Sequence, residues 1–458
     1  MFASCSHCGR SVASVANRYR RTEHVQAQPR RGHRFRDGRD GSCAAIAVAG
    51  AAPAAAAAPI GAPPSDALPA SSLTLADALA VAARNNPALR GARADVDASA
   101  GALMQAGARP NPEVSFLQEG FSRAERTSTA LINQTIELGG KRRARLDVAS
   151  YGRESASASL DEQGAVVRAD VIAAFYGLLA AQRQLQVTEE SAAIAARSAD
   201  LAARRAQAGK VSPVEATKAQ VAAAGVQIEV VTARGRVDVA REKLNAVMGE
   251  ARNDPLAVLG DLEAVPSVEP LSALTARLDD APLARIARAE MLRSNAAVSL
   301  ERARRIPDVT VSAGVKRVTT GGVPDNQAVV GVSIPIPLFN TNKGALLEAT
   351  HKAERANADL DRERTRLRLE LTQAYANFEA AEQEAQRLKS DILPAARVAL
   401  DAMSRGYELG KFSFLDVLDA QRTLFQGQSQ YVRALADAHT ARADIGRLVG
   451  TPLAAGAQ

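Results

Sequence analysis

From Lys141 to Gln207 the chain runs for some 67 residues without a proline, and Val166, Ile172, Phe175, Leu178, Leu179, Leu185 and Val187 recur at helical spacing among Arg, Glu and Gln. At about 1.5 Å per residue this predicts a rod roughly 100 Å long, which no compact globular domain needs. The chain is very rich in alanine, has no Trp and only 3% aromatic residues, so its core must be thin and its helices closely packed.

The rod is written twice. At a shift of about 200 residues, Asn86-Pro87 with Arg90 and Arg93 recurs as Ala281-Pro282 with Arg285 and Arg288, and Arg109 to Val114 recurs as Arg304 to Val309. Gly209 to Gln220 (GKVSPVEATKAQ) matches Gly410 to Gln421 (GKFSFLDVLDAQ), setting Glu215 opposite Asp416, and Val247-Met248-Gly249 and Leu448-Val449-Gly450 close the two copies. Each copy reads as helix, two extended runs, a long helix, a turn and a return helix. The organisation is a leader over 1–72, a first repeat over 73–270, a second over 271–450 and a tail over 451–458. The second rod starts at Lys343 and runs to about Asp391, with Pro394 predicted to kink or restart it before Leu409.

Gly209 and Gly410 are predicted to end the rods as left-handed caps, and Ser212-Pro213 and Ser413 to open the return helices. The extended runs are Glu113 to Phe121, Thr127 to Leu138, Asp308 to Val318 and Ala328 to Leu338, with polar loops over Ser122 to Arg126 and Thr319 to Gln327. In the last run Ala328, Val330, Val332, Ile334, Ile336 and Leu338 share one face, the alternation and length of a membrane-spanning strand. A small soluble sheet capping a helical bundle fits the same pattern. Four strands cannot close a barrel, so a membrane barrel would be shared between chains. No uncharged run of 18 apolar residues follows the leader, so no membrane-crossing helix is expected.

The net charge of +7 arises almost wholly in the first 58 residues, where nine Arg face only Glu23, Asp37 and Asp40; the balanced remainder offers no nucleic-acid surface. Cys5, Cys8 and Cys43 also lie at this end of the chain; Cys5-Ser-His7-Cys8 is too short to be a zinc site alone, and Cys43 to Ala58 resembles a secretory signal, with lipidation at Cys43 as an alternative. Beyond the leader only His351 and His439 remain, with no Cys and no phosphate loop, since Gly139-Gly140-Lys141 lacks the strand and spacing of one. No enzyme constellation, resident metal or cofactor is expected.

From about Leu73 to Gly450 the chain resembles the TolC family of outer-membrane factors, most clearly over Gly406 to Phe425 (GYELGKFSFLDVLDAQRTLF), which is similar to the family's periplasmic tip. Asn133 to Arg145 (NQTIELGGKRRAR) and Arg109-Pro110-Asn111-Pro112 look most like the heavy-metal (cobalt-zinc-cadmium, CzcC-like) branch. The resemblance implies a mainly α protein with a membrane β-barrel: a homotrimer with a shared 12-stranded barrel in outer-membrane lipid and an α-barrel tunnel in the periplasm. A periplasmic adaptor and an inner-membrane resistance-nodulation-division (RND) pump would dock below. It implies a gate at Tyr407, Asp416 and Asp419, and docking turns at Gly209, Lys210, Ser212, Pro213, Gly410, Lys411 and Ser413. Phe412 stands where relatives can carry a gate arginine. The alternatives are a solvated face for the two aspartates, a drug or small-organic duct of the same family, and a non-conducting coiled-coil adaptor.

Overall fold

The structure is a computed structural model that describes residues 72–250 and 257–453. All of them belong to one compact unit, 67–458; the cysteines and the signal-like segment lie outside the described residues. Ser72, assigned to the leader, begins the first strand.

The first copy comprises β1 (Ser72–Leu73), α1 (Leu75–Asn85), α2 (Pro87–Gly107), β2 (Glu113–Glu119), β3 (Glu125–Ile136), α3 (Lys141–Gln207) and α4 (Pro213–Met248). After β4 (Ala257–Val258), which pairs in parallel with β1, come α5 (Leu271–Ala276), α6 (Pro282–Ala303), β5 (Val309–Thr320), β6 (Val323–Ser333), α7 (Lys343–Arg387), α8 (Leu393–Glu408) and α9 (Phe414–Leu448). The α3 rod has the predicted bounds. The second rod does restart at Pro394: one π turn, Leu388–Ile392, joins α7 to α8, absorbing the backbone donor that proline lacks.

The helices form an open layer. Along the lower half α4 packs on α3, α3 on α9, and α9 on α7 and α8; along the upper half the order is α2, α3, α6, α7. Where the copies meet the short elements, α3 and α4 bury Val171, Phe175, Leu178, Leu244 and Met248 against Leu79. The second copy buries Leu367, Leu371, Phe378, Ile445 and Leu448 in the same way. Each such side chain contributes about 1.5–3 kcal/mol of transfer free energy. Lower down, Ala192, Ala195, Ala199 and Ala202 line the buried side of α3, so close helix approach replaces bulk. α3 also contains one window long and apolar enough to cross a bilayer, which the sequence analysis does not find; 44% of that window is buried against neighbouring helices, as befits the central rod.

The sheet is antiparallel in the order β2-β3-β5-β6, and β2 and β6 are left with unpaired edges. The strand boundaries differ from those predicted. Val323–Ser333 replaces Ala328 to Leu338, because Gly321-Gly322 makes a two-residue turn and Pro335 and Pro337 have no N–H for a ladder. The register puts Val114 and Phe116, Ala130 and Ile132, Ala313 and Val315, and Ala328 and Val330 on one face. All four strand carboxylates, Glu113, Glu119, Glu125 and Asp325, lie on the opposite face with Lys316.

Gly249 and Gly450 end the two copies in the same way, each at a φ of +74. A Cβ at Gly249 would lie 2.6 Å from the Asn85 carbonyl oxygen, and one at Gly450 would lie 2.3 Å from Pro282 Cδ, so each copy closes on the start of its own second helix. Gly450→Ala should therefore lower stability by about 1–3 kcal/mol. Gly235→Ala, in open space within α4, should gain up to about 1 kcal/mol. Thermal unfolding followed by circular dichroism measures both; a Gly450→Ala protein melting at or above the parent would contradict this closure.

Candidate functional site at the hairpin tips

Both rods end in the same hydrogen-bonded turn. Gly209 N–H donates to Ala206 O and Lys210 N–H to Arg205 O, both at 2.9 Å; Gly410 N–H donates to Tyr407 O at 2.9 Å and Lys411 N–H to Gly406 O at 2.8 Å. This pattern needs a left-handed residue, and Gly209 (φ +70) and Gly410 (φ +73) supply it. The return helices are capped by serine. Ser212 Oγ accepts from Val214 N–H at 3.3 Å with Pro213 as the first helical residue, and Ser413 Oγ accepts from Asp416 N–H at 3.4 Å. Lys210 and Lys411 are exposed beside the turns.

Asp416 and Asp419 lie one turn apart on α9, both exposed. Asp416 has a second role. Its carboxylate accepts from Ser413 N–H at 2.9 Å and from Ser413 Oγ at 2.8 Å, completing a reciprocal cap. Those bonds hold its carboxyl below the ordinary value.

Tyr407 is placed elsewhere. It is 2% exposed, packed edge-on against Phe414 with ring centroids 5.9 Å apart. The Arg205 guanidinium of α3 stands 4.5 Å from its ring centroid and donates to its backbone carbonyl. Burial, and then the Glu215 carboxylate of α4, push the hydroxyl up to about 12. Tyr407 thus joins the two hairpins, while the aspartates face solvent. Arg205 and Glu215 are the residues that sequence reasoning missed; the repeat had set Glu215 opposite Asp416. Phe412 folds back over Gly406, where an added Cβ would meet its ring.

Among the described residues no group of three or more His, Cys, Asp or Glu could hold a metal ion. His351 is exposed, 2.8 Å from Glu354. His439 is buried, stacked on Tyr176 at 3.5 Å, with Nε2 3.0 Å from Leu262 O. Burial lowers its pKa, favouring the neutral ring and a structural part for it, tying the segment after β4 to α9.

The family model described as outer membrane efflux protein matches residues 78–250 and 276–451. The chain is 41% identical over 381 residues to the cobalt-zinc-cadmium resistance protein CzcC of Cupriavidus metallidurans, covering 83% of this chain and 91% of that protein. It is 30% identical over 306 residues to the nickel-cobalt-cadmium resistance protein NccC of Alcaligenes xylosoxydans xylosoxydans, covering 66% and 67%. Among solved structures, the outer-membrane channel OprN superposes with a TM-score of 0.72 at 19% identity, over 83% of this chain and 90% of that one.

The Asp416 cap has a definite pH dependence. A carboxyl whose folded pKa is depressed contributes stability above its unfolded pKa and loses it as pH falls through the folded value. Hydrogen exchange at the Ser413 amide, corrected for intrinsic rates, should therefore be protected at neutral pH and lose protection below about pH 4. Asp416→Asn should abolish that dependence. Protection persisting into strong acid in the parent would remove the cap from Asp416.

Proposed function

This chain belongs to the outer membrane efflux protein family, and from that membership and the geometry above we infer that it is one third of a trimeric duct releasing heavy-metal cations to the exterior. The observation that carries this reading is the pair of open edges. The sheet ends in unpaired β2 and β6, and the helical layer ends in α4 on one side and in α7 and α8 on the other. Val214, Val221, Ile228 and Val239 form an exposed stripe on α4, diametrically opposite its buried Val230, Val237 and Leu244. Leu347, Leu369 and Val398 are likewise exposed, opposite the buried sides of α7 and α8. Head-to-tail rotation brings each edge onto its complement in the next copy and closes the ring. Three copies give the twelve strands that the family resemblance implies.

In such a barrel the apolar face of the sheet meets lipid and the polar face lines the lumen. Four carboxylates against Lys316 then make the exit acidic in each chain, which favours cations. CzcC and NccC are named for resistance to divalent transition metals, which supports metal cargo over small organic cargo. The duct is passive and carries no chemistry of its own. A periplasmic adaptor and an inner-membrane RND pump supply the cargo at the tips, on the exposed turns around Lys210 and Lys411.

At the tips Asp416 and Asp419 contribute two rings of three carboxylates to the closed constriction. Arg205 holds Tyr407, and with it the second hairpin, against the first. Opening separates these contacts.

Detergent-extracted protein should run as a heat-modifiable trimer that conducts in planar bilayers and prefers cations. Val221→Glu with Ile228→Glu should break the trimer into folded protomers. Because Asp416 also caps a helix, Asp419→Asn is the cleaner test of the ring and should reduce cation preference and multivalent-cation block. A monodisperse parent monomer retaining all its strand signal would sink the shared barrel. Loss of the gene sensitising cells to organic drugs but not to zinc, cobalt or cadmium would reassign the cargo.

A further inference from the structure

Seven charged side chains lie on the four long strands, and the sheet sorts them by face. The four carboxylates and Lys316 share the polar face; Arg126 and Arg317 alone lie on the apolar one. The register sets Arg126 opposite Thr319, and Arg317 opposite Ser128 and Asn326. The arginines are therefore diagonal neighbours on adjacent strands, near the turns and above the apolar rows that begin with Ala130, Val315 and Ala328. Both are exposed, and neither has a salt bridge or side-chain hydrogen bond among the described residues. Between them Thr319 is 7% exposed, and its Oγ1 has no hydrogen-bond partner.

Two uncompensated guanidiniums on a lipid-facing surface, with an unsatisfied hydroxyl buried between them, are costly unless an anion draws in against them. Their place above the apolar rows says which anion. A free phosphate would gain nothing from those rows, whereas a phosphorylated lipid can lay its acyl chains along them with its headgroup among the arginines.

We propose that Arg126, Arg317 and Thr319 form a binding site for the phosphate of a phosphorylated outer-leaflet lipid, one site per protomer. The site rests on the channel reading, which turns this face to lipid and these hairpin turns to the exterior. Each guanidinium presents parallel N–H groups to phosphate oxygens, and the Thr319 hydroxyl adds a further donor. The lipid binds from the bilayer side, outside the conduction path, so it anchors the height of the barrel in the membrane without obstructing the lumen.

Native mass spectrometry of the detergent-solubilised full-length trimer tests this, using bis-phosphorylated lipid A, its dephosphorylated analogue and inorganic phosphate as probes. The parent should take up to three lipid A molecules and bind the dephosphorylated analogue about 30-fold more weakly, as expected for two cations beside an anionic headgroup. Arg126→Gln with Arg317→Gln should weaken lipid A binding by about the same factor, with trimer content and single-channel conductance unchanged. Arg126→Lys with Arg317→Lys should recover part of the binding, since charge returns without the paired donors. Equal lipid A binding by the parent and the Gln variant would overturn the proposal, as would equal binding of the two lipids by the parent. Inorganic phosphate binding as tightly as lipid A would overturn the lipid assignment. A parent that forms no conducting trimer would instead overturn the channel reading, a result visible before any lipid is added.

Discussion

A sheet edge inside hydrocarbon has no water to satisfy its N–H and C=O groups, and each unpaired group costs several kcal/mol. The four-stranded sheet of the described residues leaves two such edges, so it cannot be membrane-stable alone. Everything else in the architecture is consistent with solving that problem by repetition. The chain repeats itself once, giving two hairpins whose inner strands, β3 and β5, pair with one another along their full length. In the proposed trimer, copies of the chain extend the same pairing from β6 to β2. The helical layer obeys the same logic with side chains in place of backbone bonds, since the apolar stripes of α4 and α7–α8 need cover as the strand edges need partners.

Alanine makes the long rods workable. A thin wall of helices has little interior, and large side chains would push its members apart; rows of buried alanine on α3 and α7 let them approach, and the few large residues concentrate where the short elements dock. There the copies show their common origin most plainly. Each last helix buries equivalent positions and ends in a glycine too close to its neighbour to bear a side chain.

Charge is distributed with equal economy. Along the strands acids go to one face and arginines to the other, and in the proposed barrel this single alternation separates an acidic lumen from a basic lipid-facing rim. At the tips the same residue can serve two ends. Asp416 opens α9 as its cap, and in the proposed duct it also belongs to the carboxylate ring, which would tie the local stability of the tip to the charge of the gate. Tyr407 shows the converse: a residue whose family resemblance points to the gate is buried in the contact between hairpins, where Arg205 holds it.

The periodicity, the glycine-serine tip turns and the repeat were legible in the sequence, because helix length, caps and alternation are set by neighbours along the chain. The α3 rod emerged with the bounds read from it, and Gly209, Gly410, Ser212 and Ser413 cap as expected. The ends of β6 were misplaced, since backbone pairing with β5, the Gly321-Gly322 turn and the missing donors of Pro335 and Pro337 decide them together. Arg205 stands about 200 residues from Tyr407, and no local pattern announces a contact at that separation. The same holds for the sorting of charges, which depends on the register among four strands from two distant segments. The sequence by itself determined the elements, their duplication and their caps. Only the tertiary structure decided which residues meet, because contact across the fold is a property of packing and register rather than of spacing along the chain.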